Sequence, residues 1–423
     1  MQQWARFAIL GAMFVVAYLL ILAWQKDYGH AETQPQPQQA AAVSHEVSAD
    51  LPNAQTASAA SDMPQANIAT QQPATEAKAS VNQQLISVQT DLYHLWINPK
   101  GGDIVRIELL NHDKSKDSNE AFVMLESDAK RTYVAQSGLI GLNGPDSNRS
   151  GRPMYEIEKS AYTLNDAKAV QTEDGKSIKV LTVPMVLKTA DGVEIIKTFT
   201  FKQGEYPVVV NHKVVNRSGQ NWQGQMFGQL KRDNSDDPGK SDQGIFTLGT
   251  FLGGAWGSPE EHYNKLKFAN FNEEKLNVEA KGGWVAMVQH YFVSAWIPGD
   301  LKLTQANGQP YVAKLESRKS TDDMNIIGFT SPTITVPAGT VAEIDATFYS
   351  GPKVQSELKE LATGLNQTVD YGWLWPIAKL LFLGLEFFHG LVGNWGWAII
   401  LLTVLVKLIL WPLSSKSYRS MAK

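Results

Sequence analysis

The stretch SIKVLTVPMVLKTADGVEIIKTFTFKQGEYPVVVNHKVVN, residues 177–216, decides the fold class. Apolar, mostly β-branched or aromatic residues alternate with polar ones through Ser177 to Lys188, Val193 to Phe201 and Pro207 to Asn216. A two-residue period turns one side of each run to a core and the other to water. Ala190-Asp191-Gly192 and Gln203-Gly204-Glu205 separate the runs with the chemistry of tight reversals. Thr333 to Val336 and Val341 to Tyr349 flank Pro337-Ala338-Gly339 in the same manner. Short runs of this kind dominate residues 85–352, and helical spacing is scarce there. The pattern predicts antiparallel meanders in an all-β, two-sheet sandwich.

Outward from this domain the composition changes twice on the N-terminal side. Residues 29–84 are rich in Gln, Ala, Pro, Ser and Thr with almost no aromatic side chain, so they bury too little apolar surface to offset their ordering entropy. A disordered linker is expected. Residues 7–24, FAILGAMFVVAYLLILAW, carry no charge and nearly match a hydrocarbon core of about 30 Å. Trp24-Gln25-Lys26-Asp27 lacks the small residues of a cleavage site, so residues 1–28 are expected to be an uncleaved signal-anchor transmembrane helix.

On the C-terminal side, Val354, Leu358, Leu361 and Leu365 recur at helical spacing with Gly364 near the end, predicting a helix over 353–370 that packs on the sandwich. In WLWPIAKLLFLGLEFFHGLV, residues 373–392, Lys379, Glu386 and His389 gather within about one third of the helix circumference. Residues 371–393 are therefore expected to form an interfacial amphipathic helix, with Trp373, Trp375 and Trp395 as anchors at headgroup depth. WGWAIILLTVLVKLILWPL, residues 395–413, is polar only at Thr403 and Lys407 and is long enough to cross, giving a second transmembrane helix over 394–414. Lys416, Arg419 and Lys423, in the basic segment 415–423, are the topology determinants. They place both ends of a two-span chain in the cytoplasm, with the β domain on the far side.

Bulk numbers exclude several function classes. A formal net charge of −4 over 423 residues gives no basic field for nucleic acid. Zero cysteines rule out disulfides, thiolate metal sites and cysteine nucleophiles. In the β domain His94, His112, His212, His262 and His290 are scattered without a catalytic spacing, and no enzyme activity and no cofactor are expected. Asp233, Asp236, Asp237 and Asp242 cluster in KRDNSDDPGKSD, yet Pro238 and Gly244 stand where a calcium loop needs glycine and glutamate, so a solvated loop is expected instead of a metal site. Trp256, Trp284 and Trp296 read as packing residues.

Lys407 is the residue that points to function. A lysine near the centre of a spanning helix costs about 2.5–3.5 kcal/mol on insertion scales. Two readings stay open from the residues alone. Lys416 lies roughly 13 Å further along the helix, so the ammonium can snorkel to the headgroups; or it can face a polar cavity, with Thr403 one turn earlier on the same face. A lone membrane threonine more often bonds its own helix backbone.

The motifs VDYGWLWPIAKLL from Val369 and VGNWGWAIILLTVLVKLILWPLSSKSYRSMAK from Val392 resemble the YidC-type membrane protein insertases of Gram-negative bacteria. The overall layout is similar as well. The resemblance implies an inner-membrane protein whose periplasmic domain is a β-supersandwich like that of galactose mutarotases. It also implies insertion, folding and assembly of nascent inner-membrane proteins in the phospholipid bilayer, alone or with the Sec translocon and its accessory subunits, and with the ribosome in the full-length protein. By family position Lys407 is the substrate-groove charge and Thr403 lines the groove. Many relatives carry arginine at the charged site, and lysine keeps the charge without the bidentate fork. The family continues beyond the position of Lys423 into further core spans, so an incomplete insertase core is expected. The rival expectation is a membrane-tethered scaffold or a periplasmic module that binds glycan or peptide.

Overall fold

The computed structural model describes residues 84–421 except 116–117, 149–150, 173–174, 239–250, 300–310, 321 and 370–374. The expected signal anchor, the linker up to residue 83, Trp373, Asp242 and Lys423 lie outside the described residues.

Two β-sheets, one of eleven strands and one of ten among the described residues, stack on a shared core. The opening stretch of sequence forms three consecutive strands towards one end of the ten-stranded sheet. Strand Ser177–Lys188 pairs antiparallel with Val193–Lys202, which pairs with Val208–Asn216. Burial alternates strictly along the last two, with Ile195, Phe199, Val210 and Val214 inward and Glu194, Thr198 and Lys213 outward. Period-two patterning thus becomes packing directly.

The third expected hairpin does not form. Ile334–Val336 pairs with Trp222–Gly224 in one sheet, while Val341–Pro352 pairs with Val208–Asn216 and Phe292–Pro298 in the other. The Pro337-Ala338-Gly339 reversal therefore carries the chain from sheet to sheet. Asn216 holds this crossing: its carbonyl accepts from Gly339 N–H at 2.8 Å, its N–H donates to Thr340 O at 3.0 Å, and Nδ2 donates to Val336 O at 2.8 Å. A turn whose polar groups are already taken by a third segment need not pair its own flanks.

After Pro352 the segment expected as one helix divides. Helix α1 is Gln355–Leu361, and a 3-10 turn, Leu365–Thr368, follows after a break. Leu358 and Leu365 are fully buried, so the apolar stripe packs on the sandwich across both pieces. Gly364 enforces the break: it sits at φ +84°, and a Cβ there would collide with His262 O. Trp284 Nε1 donates to Thr363 O at 3.0 Å and Trp296 Nε1 to Gln229 O at 3.1 Å, which gives two buried indoles both packing and polar roles.

Candidate functional site

Helices α2, Trp375–Val392, and α3, Trp395–Met421, are joined by Gly393 and Asn394. Gly393 N–H donates to His389 O at 2.7 Å with φ +64°, a left-handed stop for α2. Asn394 Oδ1 then accepts from Gly396 N–H at 2.8 Å and Trp397 N–H at 3.3 Å, capping the start of α3. The two helices pack as an antiparallel hairpin, with a Leu402 methyl 3.0 Å from where a Cβ on Gly384 would stand. At its tip the His389 ring stacks on Trp395 at 3.8 Å between centroids.

Among the described residues one helix is long and apolar enough to cross a membrane, over Trp395–Pro412 of α3. Lys407 stands on it, exposed, and among the described residues no hydrogen bond or ion pair engages its ammonium. Thr403 is exposed too, but its hydroxyl donates to Ile399 O at 2.7 Å. That back-bond uses the hydroxyl proton within the helix and leaves only an acceptor lone pair for anything else. Lys416 and Arg419 lie on the last turns of α3, and Pro412 is built into that helix.

A second charged constellation, inside the sandwich, escaped the sequence reading. Lys197 is 0% exposed, and its Nζ donates to the carbonyls of Gly101, Gly102 and Ser137 at 2.9, 2.9 and 2.8 Å. Three acceptors match the three N–H groups of an ammonium. Glycine is required at 102, where a Cβ would lie 2.9 Å from Nζ. Arg152 closes the cluster: it contacts Asp103 and Asp146 at 2.7 Å each, donates to Gly101 O and Ser137 O, and stands over the Phe227 ring. His212 is the register partner of Lys197 on the next strand, fully buried, and among the described residues neither ring nitrogen has a hydrogen-bond partner.

Burial sets the electrostatics of this cluster. It pulls Lys197 down to about 7, with Arg152 adding to the fall and Asp103 and Asp146 opposing it. Burial also holds His212 well below its ordinary 6.5, reinforced by Lys197 and Arg152. The missed signal was parity. In VEIIKTFTF, Lys197 shares its face with Val193, Ile195, Phe199 and Phe201, and His212 alternates with Val210 and Val214.

The other singled-out residues do not converge. His94 lies tilted against Trp96, His112 meets Phe292 edge to face and His290 stacks on Tyr291, each in a different setting. Asp233 accepts from Thr132 N–H and Ser235, whereas Asp237 pairs with Arg232 and accepts from Gln289. Among the described residues no group of three or more potential ligands could hold a metal ion.

The model of the YidC periplasmic domain family matches residues 85–383, and that of the 60Kd inner membrane protein family matches residues 387–423. The membrane protein insertase YidC of Pseudomonas putida strain F1 is 42% identical over 420 residues, 99% of this chain and 70% of the relative. This chain belongs to the YidC family of membrane protein insertases. The YidC of Stutzerimonas stutzeri strain A1501 is 43% identical over 422 residues, again 99% of this chain and 71% of the relative. The sandwich thus falls in the YidC periplasmic match and α3 in the 60Kd match, with the boundary between the two inside α2. Among solved structures, a galactose mutarotase related enzyme from Lactobacillus acidophilus covers 63% of this chain and 97% of its own, at 10% identity and a TM-score of 0.39. A likeness of that size carries no argument, and the all-β sandwich stands on its own two sheets.

Proposed function

We propose that this inner-membrane insertase engages its clients through the ammonium of Lys407. The single observation that carries the reading is an exposed lysine, with no partner among the described residues, on the helix suited to cross the bilayer. A charge left bare in hydrocarbon is expensive, and it persists where water or an opposite charge reaches it. In this reading α3 borders a hydrated recess open to the cytoplasm, and Lys407 attracts an acidic residue in the leading segment of a nascent inner-membrane protein. The client helix then leaves sideways into lipid, driven by apolar burial worth about 25 cal/mol per Å². No covalent bond changes.

The same reading assigns the rest of the hairpin. For α2 to lie flat at the interface, with Trp373, Trp375 and Trp395 at headgroup depth, it must swing away from α3 about the Gly393-Asn394 link. Lys416, Arg419 and Lys423 keep the C-terminal end cytoplasmic, and the N-terminal end with it. Thr403 lines the recess one turn above the charge. The Sec translocon, its accessory subunits and the ribosome are the partners of the full-length protein.

Site-specific photo-crosslinking tests this. A photoreactive residue at 407, placed in the full-length protein, should crosslink to a stalled nascent membrane protein, while one at Ile409, on the opposite side of α3 and exposed, should label lipid. Equal labelling of the client from both positions would remove the special role of this face.

A further inference from the structure

The sandwich carries a groove that the insertase reading leaves unused. It is a recess of about 770 Å³ between three loops: the turn from Thr189 to Val193, the connection from Ser218 to Trp222, and the segment from Leu142 to Asn148. Its described lining is dominated by neutral polar side chains, namely Asn143, Ser147, Asn148, Gln220 and Asn221, with one carboxylate, Asp191. No lysine or arginine is among the described lining residues. Leu142, 62% exposed, and Val193 supply apolar contact at its edge and floor.

Several of these polar groups are free to meet a ligand. Asn143 fixes its own orientation: Oδ1 accepts from Gln223 N–H at 2.8 Å and its carbonyl accepts from Trp222 Nε1 at 3.1 Å, so Nδ2 is turned to other use. Among the described residues no hydrogen bond engages Nδ2 of Asn143, the side-chain amides of Gln220 and Asn221, or the carboxylate of Asp191. The wall is also preformed. Asp146, inside the Leu142 to Asn148 segment, is 4% exposed, accepts from Leu139 N–H at 2.7 Å and pairs with Arg152, which ties this loop to the buried lysine cluster. A loop held from behind by an ion-pair network loses little freedom when a ligand binds in front of it.

The chemistry of the lining selects the ligand class. The one charged group of the described lining, Asp191, repels phosphate and carboxylate ligands. Primary amides pair donor to acceptor with an acetamido group, a carboxylate accepts from neighbouring hydroxyls, and an exposed leucine can cover an acetyl methyl. An extended peptide would need a strand edge for its backbone. The bordering strand Trp222–Arg232 is already paired on both sides, to Thr132–Ile140 and to Ile334–Val336, and Asn143 N–H prolongs that ladder to Gln223 O. We propose that this groove binds a neutral N-acetylated oligosaccharide.

Triacetylchitotriose is the probe, added to the full chain in a detergent without a sugar headgroup and followed by saturation-transfer NMR and calorimetry. Saturable binding is expected, with transfer strongest at the acetyl methyls. Asp191→Ala combined with Asn221→Ala should weaken it about tenfold or more while leaving the melting temperature unchanged, because both side chains are exposed and free. Binding that survives this double substitution overturns the assignment, as does absence of binding at millimolar probe. Displacement of the probe by a neutral Gly/Ser/Ala peptide would instead assign the groove to polypeptide and equally defeat the proposal.

Discussion

Two lysines of this chain sit in opposite settings, one sealed inside the sandwich and one exposed on the helix suited to cross a bilayer. Lys197 lies between the sheets with three carbonyls on its ammonium and two carboxylates close by. Lys407 stands bare on the helix suited to cross a bilayer. A structural lysine has its partners built in, so its charge is spent; removing it leaves orphaned carbonyls and unbalanced acids. In the proposed reading, a lysine that meets a passing client keeps its valence open, and the local fold owes it little. Burial and partner count therefore separate the two roles where residue type does not.

Charge reversal at the open lysine should have the largest effect. Lys407→Glu, in the full-length protein, should abolish insertion of single-span substrates with acidic tails, as read by protease protection, whereas Lys407→Arg should retain it. Equal activity in all three forms would erase the contrast between the two sites. Lys197→Met should do the reverse, lowering the unfolding stability of the sandwich by about 3 kcal/mol with insertion preserved at low temperature. A shift in the urea midpoint reads the first part. If the midpoint stays put, the buried cluster is not holding the sheets.

The smallest effect, and the sharpest for the electrostatics, concerns His212. Its folded-state pKa is depressed below 6.5 by burial, so between the two values the unfolded chain binds a proton that the folded chain refuses. Stability is whole above 6.5 and is lost as pH falls through and below it, with a slope approaching about 1.4 kcal/mol per pH unit. His212→Gln should flatten that limb of the pH profile. A profile identical to that of the unsubstituted chain would mean that water reaches the ring after all.

The sandwich was legible because its cause is local. Alternation through Val193–Lys202 and Val208–Asn216 dictates which face is buried, and Gln203-Gly204-Glu205 closes the reversal between them regardless of what packs above. The pattern failed at Pro337-Ala338-Gly339, where the same turn chemistry crosses between sheets. The deciding partner there is Asn216, more than a hundred residues earlier in the chain. It failed again across 353–370, where the helix ends at Leu361 and Gly364 turns the chain at φ +84° against the His262 carbonyl, which leaves no room for a side chain.

The candidate charges divide along the same line. Lys407 could be singled out from its neighbours alone, since eighteen apolar-rich positions around one charge are a statement about solvent. Lys197 announced itself only through its parity, and the identity of its partners was invisible. Gly101, Ser137, Asp146 and Arg152 come from other segments of the chain and meet only when the sheets stack. By itself, then, the sequence determined which segments alternate, which can span and which charge has no local excuse, because those follow from the period and polarity of adjacent residues. Only the tertiary structure decided which turn changes sheets, where the last helix of the domain breaks and how a buried ammonium is held. Each of those depends on a hydrogen-bonding group delivered from far along the chain, and nothing in the spacing of neighbours records its arrival.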